Sequence, residues 1–331
     1  MQMVGPFVHN IDPIILTVFG VHLWWYGVSF GLGFINAHIF LRRNRERVGL
    51  SLTAVYDLTL LLAIGTLIGG RTLVVVNNEW EFYQDHLLLI PSIWVGGFAS
   101  HGLILGAAAG VALFCYLYNA PVRRILDLLA ISAAIILGFG RIGNFIDGQI
   151  YGGLTDLPWG VQFPGVDGFR HPVVLYDGLK NFLLVPLLLW IRSRGVPPGR
   201  IAVLFLILYA GLRIPIDLLR EYPTSMWGLP NGQMLNILMV LMGAVLLVIN
   251  IYRARSKPDV EFVAEPGPEG NIALRRIGLA AVCLLPLVIP SDATRDVPAI
   301  YGDRHPGLEH SWTYPKIAAE LEEAEREKEG K

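Results

Sequence analysis

Three arginines lie within long apolar stretches of the sequence, at Arg71, Arg141 and Arg213. An arginine near the middle of a membrane-spanning helix costs roughly 2.5 to 3.5 kcal/mol on insertion scales, so each one needs a partner or a function. A guanidinium group offers a planar fork of N–H donors and stays protonated, which suits an anionic phosphate such as a phospholipid headgroup. The alternative is that these arginines only pair with nearby acids, carbonyl groups or headgroups.

Two further polar side chains accompany the arginines. His101 begins an apolar stretch, and Tyr26 belongs to the motif WWYG within another. If the N-terminus faces outward, the three arginines fall at similar depths toward the outer face of the membrane. Five side chains from five helices would then meet at one depth, which is how helix bundles build a ligand site.

One stretch carries several polar residues on a single helix face. Tyr209, Arg213 and Asp217 follow one another at a spacing of i, i+4, so Asp217 is a candidate partner for Arg213. Pro215 has no N–H group and leaves the carbonyl of Gly211 without its helical donor, which predicts a bend beside the arginine. Bent membrane helices tend to border cavities.

The stretches that position these residues are predicted to be membrane-spanning helices. Apolar residues make up 53% of the 331 residues and charged residues 16%, and the mean hydropathy is +0.52. Such a composition is typical of a chain that lies in lipid. We therefore predict an all-α fold, a polytopic membrane helix bundle with about seven transmembrane helices. The predicted spans cover residues 14–40, 54–76, 99–119, 125–140, 173–191, 201–219 and 232–252.

The distribution of basic residues predicts the orientation. Basic residues follow every second span, at Arg42, Arg43, Arg45 and Arg47, at Arg123 and Arg124, at Arg192, Arg194 and Arg200, and at Arg253, Arg255 and Lys257. The stretch 77–97 contains no lysine or arginine. By the positive-inside rule, the N-terminus lies outside. The net charge of −1 offers no case for nucleic acid as a partner.

The sequence divides into residues 1–257, the predicted transmembrane domain, and 258–331, a linker, a short apolar segment and a charged tail. The apolar run 277–289 is short for a span. It is either an eighth, thin crossing that sends the tail outside, or an interfacial segment that leaves the tail in the cytoplasm. The tail itself is predicted to be a solvated helix or a frayed end.

No metal and no cofactor is expected. The spans lack the group of acids that would hold magnesium, so we expect metal-free chemistry. Cys115 and Cys283 both lie inside apolar runs, which suits packing better than a disulfide or a metal site.

The stretch GRIGNFIDGQIYGG, from Gly140 to Gly153, resembles the signature of the phosphatidylglycerol–prolipoprotein diacylglyceryl transferase family of bacterial membrane enzymes. The resemblance spans roughly residues 10 to 255. It continues in WYG (25–27), WVGGFASHG (94–102), TDLPWGVQFP (155–164), RHPVVLYDG (170–178) and YAGLRIPIDLLRE (209–221).

The resemblance implies transfer of the diacylglyceryl group of phosphatidylglycerol to the lipobox cysteine of a prolipoprotein signal peptide, with release of glycerol phosphate. It implies a multi-pass protein of the bacterial cytoplasmic (inner) membrane with its active site toward the periplasm. The residues at family functional positions are Tyr26, His101, Arg141, Asn144, Tyr209 and Arg213, with Gly148 and Gly152 shaping the motif loop. We add Arg71 and His171 as candidates for substrate binding.

Catalytic roles follow from the implied reaction. A cysteine thiol has a pKa near 8.5, so attack at neutral pH is helped by a base, for which His101 is the candidate. His101 has two alternative roles, orienting a substrate or serving as a hydrogen-bonded histidine at a helix start. Breaking the carbon–oxygen bond of the lipid adds negative charge to the leaving phosphate, and Arg141 and Arg213 are the candidates to stabilise it.

The chain departs from the family pattern at several positions in and near these motifs: Leu103, Asp147, Gln149, Gly153, Val173, Val174 and Asp177. The departures at Gln149 and Gly153 leave one alternative to an active transferase, a divergent paralogue that keeps the lipid site but has altered or lost the transfer. A second alternative is a transporter or lipid-binding membrane protein, which would also explain arginines within apolar stretches.

Overall fold

Helices make up most of the chain in the computed structural model, which describes residues 7–77, 80–148, 150–220, 225–226, 229–256 and 271–291. A helix satisfies its own main-chain hydrogen bonds, as an apolar segment in lipid requires. The helices are α1 (Trp25–Asn44), α2 (Leu52–Asn77), α3 (Trp80–Tyr83), α4 (Ser100–Leu117), α5 (Val122–Asp147), α6 (Val173–Ser193), α7 (Arg200–Asp217), α8 (Asn231–Ser256) and α9 (Ile272–Leu284).

Each of the seven predicted spans contains one long helix. Four described helical segments are long and apolar enough to cross a membrane: Leu52–Val76, Val122–Asp147, Val173–Ser193 and Gly232–Ala254. A fifth apolar helix, Gly102–Leu117, is shorter. The membrane character of the chain is therefore confirmed, whereas a total of seven crossings and an outside N-terminus remain predictions.

The predicted helical character is confirmed, and a few short strands accompany the helices. They are β1 (Phe7–Val8), β2 (Ile14–Val18), β3 (Val21–Trp24), β4 (Val161–Gln162), β5 (Ser225–Met226) and β6 (Leu229–Pro230). β1 pairs with β4 in parallel, while β2 with β3 and β5 with β6 are antiparallel. The β1–β4 pair places the N-terminal segment on the same face of the bundle as the loop after α5.

The first predicted span was wrong in its first eleven residues, which form the β2–β3 hairpin. The hairpin turns at Phe19 and Gly20, which have φ angles of 50° and 81°. Both angles lie in the left-handed region, which ends an extended segment and does not continue a right-handed helix. The β-branched residues that flank the turn also favour strands. Helix α1 therefore begins only at Trp25.

The helices pack as neighbouring pairs: α2 against α4, α1 against α5, α5 against α6, and α7 against α8. Close approach of α2 and α4 depends on glycines on both helices. A Cβ atom at Gly65 or Gly69 would collide with the main chain at Gly106 or Gly102. Small residues of this kind let membrane helices pack backbone to backbone.

The short apolar run beyond residue 270 forms helix α9 and a 3-10 turn, Leu285–Val288. Helix α9 packs against both α1 and α2. Its buried residues Val282 and Cys283 share a core with Phe34 and Ala63. The linker 257–270 and the charged tail 292–331 lie outside the described residues.

Candidate active site

A buried carboxylate on α6 joins three cationic side chains. Asp177 is 3% exposed, and its Oδ2 accepts hydrogen bonds from Arg141 Nε at 2.6 Å and Arg213 Nη1 at 2.8 Å. Lys180 Nζ lies 2.6 Å from the other carboxylate oxygen, Oδ1. Because Arg141 belongs to α5 and Arg213 to α7, Asp177 fixes the relative positions of three helices. It also holds the two predicted catalytic arginines side by side.

A second carboxylate links this cluster to α8. Asp217 Oδ2 lies 3.4 Å from Arg213 Nε and accepts a hydrogen bond from Asn236 Nδ2 at 2.6 Å. The predicted pairing of Arg213 with Asp217 along one helix face is therefore confirmed. Arg213 bridges two acids, which fixes its guanidinium in one orientation and offsets the cost of burying its charge.

Lys180 brings Tyr209 into the cluster. Its Nζ donates to the main-chain oxygen of Tyr209 at 3.2 Å and lies 4.0 Å from the centre of that tyrosine's ring. Sequence analysis missed both Asp177 as the centre and Lys180. A signal was available, since an aspartate and a lysine three residues apart in an apolar span predict a buried pair on one helix face.

Other family positions adjoin Arg141 on α5. Arg141 Nη1 donates to Asn144 Oδ1 at 3.1 Å. Gly143 lies against α1, because a Cβ atom there would lie 2.9 Å from the Cα atom of Tyr26. Gly148 ends the helix in the left-handed region, with φ 68°, and its N–H group donates to the carbonyls of Asn144 and Phe145. Helix α5 is longer than the predicted span, so Arg141 lies within the helix and not at its end.

The loop after α5 is tied to the ends of two other helices. Gly152 N donates to His171 O at 2.9 Å, and Gly153 N donates to Leu219 O at 2.9 Å. His171 Nδ1 lies 3.3 Å from the hydroxyl of Tyr176, which accepts a hydrogen bond from Trp159. These contacts place Gly152 and His171 beside the start of α6 and the end of α7, at the same end of the bundle as Asp177.

A cavity opens at this cluster. Its lining is Arg141, Ile150, Val173, Val174, Asp177, Arg213, Ile216, Asp217 and Arg220. Arginines outnumber aspartates in this lining by three to two, so the site favours an anion. The remaining lining residues, Ile150, Val173, Val174 and Ile216, are aliphatic. Val173 and Val174, two of the departures from the family pattern, belong to this apolar wall.

Arg71 lies in different surroundings from the Asp177 cluster. It is 6% exposed, and its guanidinium donates to the carbonyls of Ile90 at 2.7 Å, Gly96 at 2.5 Å and Leu89 at 3.2 Å, and to the Tyr83 hydroxyl at 2.8 Å. These acceptors belong to α3 and the loop up to Gly97. The contacts match the alternative interpretation, in which a buried arginine pairs with carbonyl groups.

His101 belongs to the first turn of α4, and its side chain lies outside the described part of the structure. Main-chain contacts do locate that turn, because Ala99 N donates to Gly70 O at 3.0 Å. Leu103, which departs from the family pattern, packs against Gly70. Gln149, another departure, is not among the described residues.

Comparison with known proteins supports the resemblance seen in the motifs. Residues 13–249 match the family model described as prolipoprotein diacylglyceryl transferase. A phosphatidylglycerol–prolipoprotein diacylglyceryl transferase of Geobacter sulfurreducens is 36% identical over 255 residues, which are 72% of this chain and 95% of the relative. The enzyme of the same name from Methylobacillus flagellatus is 34% identical over 74% of this chain and 98% of its own length. The enzyme of the same name from Chromohalobacter salexigens is 33% identical over 72% of this chain and 92% of its own length. On the strength of the family match and of these identities, this chain belongs to the prolipoprotein diacylglyceryl transferase family.

Proposed function

We propose that this protein transfers the diacylglyceryl group from phosphatidylglycerol to the lipobox cysteine of a prolipoprotein. The cysteine sulfur forms a bond to the carbon of the diacylglyceryl group that carries the phosphate, and the bond between that carbon and the phosphate oxygen breaks. The thiol proton passes to a base, and glycerol phosphate leaves. The names of the curated relatives support both substrates.

The observation that carries this proposal is the joint binding of Arg141 and Arg213 to Asp177 at the wall of the cavity. In the reaction a phosphodiester with one negative charge becomes a phosphate monoester with additional charge. Cations that are already fixed in place stabilise that added charge without reorganisation in the transition state. We therefore assign the leaving phosphate to Arg141 and Arg213.

Arg141 has donor capacity left for such a phosphate. Within the described residues it donates through Nε to Asp177 and through Nη1 to Asn144. A guanidinium group has five N–H donors in total, so the two on Nη2 remain for a ligand in the cavity. The Asp177 and Asn144 contacts would hold this fork in one orientation before the lipid binds.

The remaining family positions receive supporting roles in the proposal. His101 is the proposed base for the thiol. Tyr26, Asn144 and Tyr209 are proposed to orient the lipid headgroup, while Gly148, Gly152 and His171 shape the loop over the site. We propose that the site faces the periplasm of a bacterial inner membrane, on the basis of the basic loops at the opposite ends of the helices.

Mass spectrometry tests the proposed reaction. The purified protein is incubated with vesicles containing phosphatidylglycerol and a lipobox peptide, and the expected result is a peptide whose mass has increased by one diacylglyceryl group. A peptide with serine in place of cysteine, and vesicles of phosphatidylethanolamine alone, are the controls. A stable, folded protein that yields no adduct would contradict the proposal and favour a divergent paralogue that only binds lipid.

A further inference from the structure

We propose that α9 and the 3-10 turn after it form an eighth crossing of the membrane, so that the chain leaves the bundle on the face where α1 begins. The matched family region ends at residue 249, before this segment. The inference rests on packing contacts of α9 and is independent of the transfer reaction.

The start of α9 is anchored at the face where α2 begins. Arg275, in the first turns of α9, donates from Nε to Asp57 Oδ1 and from Nη2 to Asp57 Oδ2, both at 2.7 Å. The hydroxyl of Tyr118, just beyond the end of α4, also donates to Asp57. Because Asp57 lies in the second turn of α2, this paired contact places the start of α9 at the same face. A bidentate, partly buried pair is the stronger kind of ion pair.

The middle of α9 lies against α1 and α2 and buries only part of its surface there. Gly278 lies against Leu60 of α2, with Leu60 Cδ2 3.4 Å from the position of a Cβ atom on the glycine. Further along, a Cβ atom at Gly31 of α1 would lie 2.5 Å from the Cys283 carbonyl oxygen. The contacts thus proceed toward the end of α2 and the start of α1.

The segment ends at the opposite face. A Cβ atom at Gly27 would collide with the carbonyl group of Pro286, and Gly27 is the third residue of α1. The 3-10 turn also contacts β3, which precedes α1. The helix of 13 residues and the turn of four rise roughly 28 Å together, close to the thickness of about 30 Å of a hydrocarbon core. The apolar run 277–289 is shorter than this crossing, because it leaves out residues 272–276, which belong to α9 and include Arg275 and Arg276.

This end of the crossing lies behind a residue of the candidate site. Gly27 packs against Pro286, while the preceding Tyr26 packs against Gly143 of α5. The first turn of α1 is therefore held between the C-terminal segment and the helix that carries Arg141. The extension would support the position of Tyr26 without contacting a substrate.

Cysteine labelling in whole cells tests the crossing. In a background with Cys115→Ala and Cys283→Ala, three single cysteines are compared: Ser311→Cys in the tail, Asp156→Cys in the loop after α5, and Ser193→Cys at the end of α6. Asp156 and Ser193 are both exposed and lie at opposite faces of the bundle. With a membrane-impermeant maleimide, Ser311→Cys should be labelled under the same conditions as Asp156→Cys. Labelling that follows Ser193→Cys would overturn the proposal.

A cross-linking pair tests whether the crossing is docked as the contacts require. In the same background, Leu60→Cys with Gly278→Cys should lose both free thiols on oxidation or with a short bifunctional thiol reagent. The matched pair, Leu60→Cys with Ile277→Cys, should keep them, because the side chain of Ile277 is 66% exposed. Equal reactivity of the two pairs would show that α9 does not lie against α2, and would also overturn the proposal.

Discussion

Arg141 and Arg213 share one oxygen atom, because both donate to Asp177 Oδ2, at 2.6 and 2.8 Å. Two guanidinium groups this close repel each other unless an anion lies between them. Asp177 supplies that anion in the resting protein. A phosphate that enters the cavity can therefore meet both cations without first drawing them together.

Removing the shared carboxylate should damage both the fold and the reaction. Asp177→Asn leaves Arg141, Arg213 and Lys180 without their common counter-charge, and breaking a buried ion pair typically costs about 3 to 5 kcal/mol. We expect a lower unfolding temperature in detergent and at least a tenfold loss of transfer activity. The matched control is Asp156→Asn, since Asp156 is exposed. Wild-type stability and activity in Asp177→Asn would contradict the central role of this residue.

Lys180, which pairs with Asp177, should affect lipid binding more than the chemical step. Lys180→Met keeps a long, unbranched side chain and removes one positive charge beside the cavity. We expect the KM for phosphatidylglycerol in mixed vesicles to rise several-fold while kcat changes less, because Arg141 and Arg213 remain in place. Lys180→Arg, which keeps the charge, should behave more like the wild type. A fall in kcat alone, without a change in KM, would argue against this role.

The loop over the site should not tolerate a side chain at Gly152. A Cβ atom there would lie 2.5 Å from the Leu219 carbonyl oxygen and 2.7 Å from Val173 Cγ1. Overpacking of this kind costs about 1 to 3 kcal/mol, so Gly152→Ala should lower the unfolding temperature. Gly140→Ala is the control, because among the described residues no atom from outside its own stretch of helix lies within 4 Å of the added Cβ, and alanine favours the helix. Equal unfolding temperatures for the two variants would show that the loop can shift.

Arg71 should stabilise the loop 80–97, whose carbonyl groups it binds. Arg71→Met leaves several loop carbonyls without their donor, and each unsatisfied buried group costs about 1 to 3 kcal/mol. Hydrogen exchange should become faster in residues 80–97 and change little in α6 and α7. Arg43→Met, at an exposed position, is the control. If exchange in 80–97 stayed slow while lipid binding was lost, Arg71 would be a substrate-binding residue after all.

Local spacing predicted some of the candidate site correctly. The i, i+4 pair of Arg213 with Asp217 follows from helix geometry alone, and it is present. The contact of Arg141 with Asp177 was not predictable in this way, because the two residues are 36 positions apart and belong to different helices. Only the packing of α5 against α6 brings them together. Pairings between helices depend on rotation and depth, which hydropathy does not specify.

The errors in the predicted fold have physical causes. Hydropathy reports how apolar a segment is and not which main-chain geometry it adopts, so the β2–β3 hairpin was assigned to the first span. The left-handed turn at Phe19 and Gly20 decides between the two structures. Likewise, the apolar run 277–289 is shorter than a usual membrane span, so its length does not decide between a crossing and an interfacial segment. Its contacts with α1 and α2 define its path along the bundle.

The glycines shared by α2 and α4 have a consequence for how the protein can move. Where Gly65 and Gly69 meet Gly102 and Gly106, main chain touches main chain, with no layer of side chains that could change rotamer and let one helix slide past the other. Helices α2 and α4 should therefore move as a single rigid body, and Arg71 and the helix turn that contains His101 should move together with it. Any widening that admits a lipid and a peptide must then occur elsewhere, among helices joined by longer and more adaptable side chains.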